Sequence, residues 1–277
     1  MADKGIAIRT CPARLPRASG LSAAALILVV ACSSGGSGSA GTPLTPRQVL
    51  LATATQAQKV TSASETLAIH GSGIQSVTTT GIIQFQRKPL KISENLKVAA
   101  AGKRTQIKAI VTDTAVYFNE ASLARQLGKP WVKVDLSALN STPLAGIAQL
   151  IHSLQSNNFA NQAQLFAATK NVRVVGKQTI DGVPTTEYAG SFRAAEALKA
   201  LSPSFRKVLA PALQVLGNSP VSFHVWVDSQ HHTRKMTEIE TINGEAISTT
   251  LTITAINQPV HIAPPPASQT VTPPSGS

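Results

Sequence analysis

A short apolar run that ends at a cysteine constrains this chain more than any other feature. The run extends from Leu21 to Ala31, and Cys32 follows it directly. Four basic residues precede the run: Lys4, Arg9, Arg14 and Arg17. A membrane-spanning helix needs roughly 20 apolar residues, so this run is too short to cross a bilayer. A basic start, a short apolar stretch and small residues after it predict a secretory signal peptide.

The end of this run, Val29-Val30-Ala31-Cys32, resembles the lipobox of bacterial lipoproteins. In lipoproteins the cysteine thiol receives a diacylglyceryl group, and the peptide is cut before that cysteine. The resemblance therefore implies that residues 1–31 are a lipoprotein signal peptide and that Cys32 is the lipidated first residue. It implies a protein anchored to the cell membrane on the extracytoplasmic face. The alternative is an ordinary signal peptide that carries a cysteine by chance.

The remaining chain divides by composition into three parts. Residues 32–44 consist of the cysteine that would be lipidated and a Ser/Gly tether, which spans about 18 Å on average. Residues 45–262 hold the alternating and helical apolar patterns of one folded domain. Residues 263–277 (APPPASQTVTPPSGS) are rich in proline and polar residues, which predicts a disordered tail.

Charge and cysteine content limit the classes of partner. The formal net charge is +12, of which about +9 belongs to the chain after residue 31. This charge favours anionic headgroups or acidic wall polymers as partners, although a solvated basic surface is the simpler interpretation. Nucleic acid is excluded as a partner, because the export signal places the domain outside the cytoplasm and the basic residues are dispersed. Cys11 lies within the signal peptide, so the processed chain has no pair of cysteines for a disulfide.

Apolar residues alternate with polar ones along most of the domain, which predicts short antiparallel strands. The pattern begins at Glu65, continues to Val134, and resumes after Val172. Asp181-Gly182 and Asn243-Gly244 are strong hairpin signals within it. The domain is therefore predicted to be α+β, with a long antiparallel meander.

Helical spacing of apolar residues interrupts this meander. It predicts five helical segments: 46–62, 143–154, 161–169, 193–201 and 205–216, the last broken at Pro211. The first of them begins with Thr45 as N-cap and Pro46 in the first turn. Helices that interrupt a meander usually cover one face of the sheet.

No residue pattern indicates catalysis or a metal. The chain lacks a G-x-S-x-G elbow, an H-E-x-x-H motif and a P-loop. Ser222, His224 and Asp228 would share a strand face, but their order matches no known triad. His231-His232 would lie in a turn with no acidic or cysteine partner nearby in the sequence, so no metal site is predicted. We expect no enzymatic activity and no cofactor.

The mature chain resembles the LolA-like actinobacterial lipoproteins of the LppX/LprG group. Besides the lipobox, the tether and the helix that opens the domain, five segments carry the resemblance: Trp131–Asp135, Thr179–Gly190, Val225–Asp228, Thr233–Met236 and Asn257–Ile262. The resemblance implies a curved antiparallel half-barrel whose concave face is covered by helices over a hydrophobic pocket. It also implies a lipid or lipidated glycan as ligand and a membrane transporter as a possible partner.

The periodicity then indicates which side chains would line such a cavity. From the strands these are Phe85, Ile92, Phe223, Val225 and Leu251. From the helices they are Ile147, Ile151, Leu154, Leu209 and Leu213. The expected function is binding of lipid acyl chains for transfer or presentation. Two alternatives stay open: a sensor or regulatory lipoprotein that binds a membrane protein, and a protein that binds cell-wall polymers.

Overall fold

The computed structural model describes residues 43–71, 77–100, 102–139, 169–200, 203, 206, 210, 219–242 and 244–272. Its strands are β1 Ser62–Gly71, β2 Val77–Gln86, β3 Lys91–Ala100, β4 Lys103–Val111, β5 Ala115–Glu120, β6 Trp131–Asp135, β7 Lys170–Ile180, β8 Val183–Arg193, β9 Pro220–Asp228, β10 Thr233–Ile242, β11 Glu245–Ile256 and β12 Thr270–Val271. Its helices are α1 Pro46–Ala57, α2 Ala121–Leu127, α3 Leu136–Leu139 and α4 Ala194–Ala200, with a 3₁₀ turn at Ala267–Gln269.

All twelve strands belong to one sheet, in the order β12-β6-β5-β4-β3-β2-β1-β11-β10-β9-β8-β7. The first strand lies inside the sheet, because β1 pairs antiparallel with both β2 and β11. It joins a meander of strands β1 to β6 to a second meander of strands β7 to β11. The sheet is open, with β7 at one edge and β12 at the other. The predicted α+β class with an antiparallel meander is therefore confirmed.

Turn residues of the expected kind connect the hairpins. Asp181 and Gly182 between β7 and β8 both have positive φ, at 47° and 79°. Gly244 between β10 and β11 has a φ of 82°. Such φ values are costly for most residues but not for glycine, so these turns fix the register of the strands that they join.

Helix α1 begins where the sequence predicts and ends five residues early. Thr45 and Gln48 form a capping box, in which the Thr45 N–H donates to Gln48 Oε1 at 2.8 Å. The helix ends at Ala57 rather than at residue 62. Arg87 accounts for this end, because its guanidinium donates to the carbonyls of Ala57 at 3.1 Å and Gln58 at 2.6 Å. A distant side chain thus satisfies carbonyls that a longer helix would have used.

The face of the sheet that packs with α1 is the apolar face of this protein. It is formed by alternate residues of seven central strands: Ala63, Leu67, Ile69, Ile83, Phe85, Ile92, Tyr188, Phe223, Val225, Met236, Leu251 and Ile253. Val49, Leu50 and Ala57 of α1 belong to the same buried cluster. The burial of one continuous cluster from β8 to β3 is the main contribution of this sheet to folding free energy.

The prediction of a disordered tail is wrong for residues 263–272. Thr270 and Val271 form β12, which pairs in parallel with Trp131 and Val132 of β6. Lys129 Nζ also donates to the Ser268 carbonyl at 2.6 Å. The edge strand β6 has backbone hydrogen-bond donors and acceptors that an extended segment can pair with. The composition of the tail does not show that such an edge is present. Residues 273–277 lie outside the described residues.

Candidate functional site

The structure places the five strand residues of the predicted cavity lining on one face. Phe85 and Ile92 are opposite each other across β2 and β3. Val225 and Leu251 are both opposite Met236 of β10, and Phe223 is two residues before Val225. All five side chains are buried within the apolar face. Whether they line a ligand cavity stays a prediction.

The other predicted residues lie outside the described residues. They are the five residues predicted to line the cavity from helices and the cysteine predicted to be lipidated: Ile147, Ile151, Leu154, Leu209, Leu213 and Cys32. The prediction that helices 143–154, 161–169 and 205–216 cover the sheet lies mostly there too. Of the described helices, α1 contributes Val49, Leu50 and Ala57 to the buried cluster of the apolar face, and α3 contributes Leu136.

Glycine on this face allows large side chains to lie close to the backbone. A Cβ at Gly190 of β8 would stand 2.6 Å from Cζ of Phe223, a distance that real Cβ atoms do not tolerate. A Cβ at Gly81 of β2 would stand 2.5 Å from Cδ2 of Leu96 and 2.6 Å from the Asn95 carbonyl oxygen. Phe223 and Leu96 therefore lie directly over glycine backbone, so the shape of the face depends on these two positions.

Sequence reasoning missed four carboxyl groups on the apolar face. They belong to Glu65 of β1, Glu94 of β3, and Glu238 and Glu240 of β10. Burial raises the pKa of Glu65 to about 8, and it also raises the pKa of Glu94 and Glu240. Burial, with a smaller effect of the neighbouring Glu240, raises the pKa of Glu238 to about 8. At neutral pH the Glu65 and Glu238 carboxyls are largely protonated, so they are neutral hydrogen-bonding groups rather than charges.

A sequence signal for these carboxyls exists in the strand period. Glu65 precedes Leu67 and Ile69 by two and four residues, so it has the parity of the buried side chains. Glu238 and Glu240 likewise alternate with Ile239, which is exposed. Applying the period strictly would have placed these glutamates on the apolar face. The residue type alone gives no such indication, because glutamate is rarely buried.

On the opposite face of the sheet, the residues that a catalytic triad would need do not contact one another. His224 Nδ1 lies 2.6 Å from Glu187 Oε1 on the neighbouring strand. Asp228 instead accepts from Arg234 Nε at 2.9 Å and pairs with His232 Nδ1 at 2.8 Å. His224 and Asp228 thus have different partners.

The Asp228 carboxylate fixes the turn between β9 and β10. It accepts hydrogen bonds from the backbone N–H groups of Gln230 and His232, both at 2.9 Å. Burial alone would raise its pKa, but the His232 and Arg234 interactions outweigh burial and lower the pKa to about 2. The predicted polar turn at His231-His232 is correct, and His232 is buried in it as a structural partner of Asp228.

A polar groove of about 660 Å³ lies where α1 ends and β1 begins. Its lining combines residues 58–62, 86–88 and 257–260, from three separate parts of the chain. The groove is positively charged because Lys59, Arg87 and Lys88 line it, and we call it the basic groove. Asn257 also links its ends, since its Oδ1 accepts from the Thr61 N–H at 2.9 Å.

The described residues hold neither a metal-binding cluster nor a helix that could span a membrane. Among those residues, no group of three or more His, Cys, Asp or Glu side chains could hold a metal ion. The helices within the described ranges include none that is both long and apolar enough to span a membrane.

Taken together, the described strands form one open twelve-stranded sheet with a continuous buried apolar face. Residues 45–262 match the LppX_LprAFG lipoprotein family, and the chain belongs to that family. The predicted relation to the LppX/LprG group is therefore confirmed.

The solved structures that match this chain have low sequence identity to it. The lipoprotein LppX from Mycobacterium tuberculosis is 16% identical, with 79% of this chain and 98% of LppX covered and a TM-score of 0.46. LprF from Mycobacterium bovis is 15% identical, with 79% and 96% covered and a TM-score of 0.49. The MucA/MucB complex of Pseudomonas aeruginosa gives 14% identity, 76% and 57% covered, and a TM-score of 0.32. A search of curated proteins found no match.

Proposed function

We propose that this lipoprotein binds lipid acyl chains against its apolar face and shields them from water during transfer or presentation. The observation that carries the proposal is the extent of that face, which runs without interruption across the strands from β8 to β3. A buried methylene contributes about 0.8 kcal/mol, so a sixteen-carbon chain gains roughly 12 kcal/mol before ordering costs. A membrane transporter would be the partner that supplies or receives such a lipid.

The anchor in this proposal is the diacylglyceryl group on Cys32, at the extracytoplasmic face of the cell membrane. The apolar run, the lipobox-like ending and the Ser/Gly tether support it. Changing Cys32 to Ser removes the thiol that is acylated, so the protein should move from the membrane to the secreted fraction. Labelled palmitate incorporation measures the same step. Membrane retention with unchanged labelling would contradict the anchor.

Mass spectrometry of co-purified lipid tests the acyl-chain proposal. The protein is the full chain with Cys32→Ser, which carries no anchor lipid of its own. We expect stoichiometric lipid in the extract, and less lipid after Val225→Asp, which places a carboxylate on the apolar face. The control is Thr237→Asp, because Thr237 lies on the neighbouring strand β10 but on the opposite face of the sheet. A folded protein that yields no lipid would overturn the proposal.

A second candidate function, docking to an anionic surface, is favoured by the basic groove. Lys59 and Lys88 are exposed there, and Arg87 also lines the groove. We expect vesicle binding of the Cys32→Ser protein to rise with anionic lipid content and to weaken with salt. The double change Lys59→Glu with Lys88→Glu should abolish most of this dependence.

A second pair of lysines, outside the groove, provides the control for the effect of net charge alone. Lys97 and Lys108 are exposed on β3 and β4, so Lys97→Glu with Lys108→Glu changes the net charge equally. If both double variants lose vesicle binding equally, the total charge matters and the groove does not dock to the membrane.

A further inference from the structure

Glu238, Glu240 and Thr249 form a polar patch on the apolar face, on strands β10 and β11. Glu238 is directly opposite Thr249 across β10 and β11, where Cβ atoms are about 5 Å apart. Glu240 follows two residues later on the same face, about 7 Å along the strand. Three polar side chains thus occupy adjoining positions within a buried apolar surface.

Two atoms of this patch are buried and have no hydrogen-bond partner within the part of the chain that the structure describes. Glu240 is 4% exposed and Thr249 is 7% exposed. Among the described residues, Glu240 Oε1 and Thr249 Oγ1 have no hydrogen-bond partner. Buried polar atoms in proteins nearly always have one, because the desolvation cost is otherwise not offset. Thr249 is not acidic, so its orphaned hydroxyl is an observation independent of the two carboxyls.

The surroundings of the patch are apolar. Phe223 of β9 is opposite Glu238, Ile69 of β1 is opposite Thr249, and Ile247 of β11 is opposite Glu240. An acyl chain lying on the neighbouring residues would therefore bring its polar end, rather than its tail, to the three polar groups.

The protonation state of the patch decides which polar end fits. Burial raises the pKa of Glu238 to about 8, so this group is largely neutral at pH 7, and burial also raises the pKa of Glu240 and so disfavours its charged form. A protonated carboxyl both donates and accepts hydrogen bonds, as a hydroxyl does. A phosphate would instead meet two groups that become carboxylates on ionisation, in a place of low dielectric constant.

We propose that Glu238, Glu240 and Thr249 bind the free hydroxyl groups of a neutral lipid, and that the patch selects neutral hydroxylated lipids over anionic ones. This inference rests on the proposed acyl-chain binding and names the class of lipid that the face accepts. The patch holds the polar end of the ligand while the apolar face holds its chain.

The test compares three probes on the full chain with Cys32→Ser: monopalmitoylglycerol, its phosphate ester palmitoyl lysophosphatidic acid, and hexadecane. We expect monopalmitoylglycerol to bind at least about tenfold more tightly than its phosphate ester. Thr249→Val and Glu240→Leu should each weaken monopalmitoylglycerol binding about 3–10-fold, the loss of one net hydrogen bond. Neither change should weaken hexadecane binding. Glu240→Gln retains a donor and an acceptor, so it should restore most of the affinity.

Thr252→Val is the matched control, because Thr252 lies on the same strand with the opposite parity. It should leave all three affinities unchanged. Equal losses for monopalmitoylglycerol and hexadecane, or equal binding of the phosphate ester, would overturn the inference while acyl-chain binding stands. Absence of binding for hexadecane and both lipids would instead refute the proposed function itself. Thermal unfolding of each variant establishes that it is folded before binding is measured.

Discussion

The contact between Gly190 and Phe223 allows a sharp test of how tightly the apolar face is packed. Gly190→Ala places a Cβ 2.6 Å from Phe223 Cζ, 3.0 Å from Cε1 and 3.1 Å from the Thr169 methyl group. Phe223 is 2% exposed, so its ring has neighbours on its other sides and little room to move. Overpacking a filled core in this way costs about 1–3 kcal/mol.

For a domain of this size, 1 kcal/mol lowers the Tm by about 2–4 °C, so we expect Gly190→Ala to lower it by about 2–12 °C. Gly176→Ala is the control, since a Cβ at Gly176 meets nothing within 4 Å. That change should leave the Tm unchanged or raise it slightly, because alanine restricts the unfolded chain.

Calorimetry or circular dichroism measures both variants. If Gly190→Ala is as stable as Gly176→Ala, the Phe223 ring moves freely. The face around Phe223 would then be space available to a ligand rather than solid core. Lipid uptake by the same variant distinguishes the two cases, since a displaced ring would then reduce uptake without reducing stability.

Three further predictions concern titration and capping. The pKa of Asp228 is lowered to about 2, so the stabilisation that its carboxylate gives, about 2 kcal/mol, is present above pH 4 and is lost between pH 4 and pH 2. Asp228→Asn should remove this acid-dependent part of the free energy of unfolding in urea. The pKa of Glu65 is raised to about 8, so the folded state retains a proton that the unfolded state loses, and the free energy of unfolding should fall from about pH 4.5 to pH 8. Glu65→Gln should make this fall less steep, and an unchanged slope would contradict the assignment. Arg87→Met removes the two hydrogen bonds to the end of α1 and should cost about 1–3 kcal/mol in urea unfolding, whereas Arg104→Met, an exposed change on β4, should cost less than 0.5.

The strand pattern made most of the sheet predictable. Alternation placed Phe85, Ile92, Phe223, Val225 and Leu251 on one side of their strands, and the structure confirms that they share a face. Asp181-Gly182 gave the register of one hairpin, because its positive φ values are compatible with few residues. Local patterns suffice for these features, since each depends on residues close in sequence.

Features that depend on distant residues were not predictable in the same way. The end of α1 depends on Arg87, which is about 30 residues away. The pairing of Thr270 with Trp131 joins a polar tail to an edge that exists only in the folded sheet. The buried glutamates were visible in the period, but their burial depends on strands that pair with them from both sides.

Photo-crosslinking tests the central claim most directly. A palmitate analogue with a diazirine in its chain is bound to the Cys32→Ser protein, irradiated, and the labelled residues are mapped by mass spectrometry. Strand β9 contains its own control, since Phe223 and Val225 lie on the apolar face, whereas His224 and Trp226 lie on the opposite face. The account predicts labels on Phe223 and Val225 and none on His224 and Trp226. Uptake of the analogue with labels on His224 and Trp226 alone would contradict it.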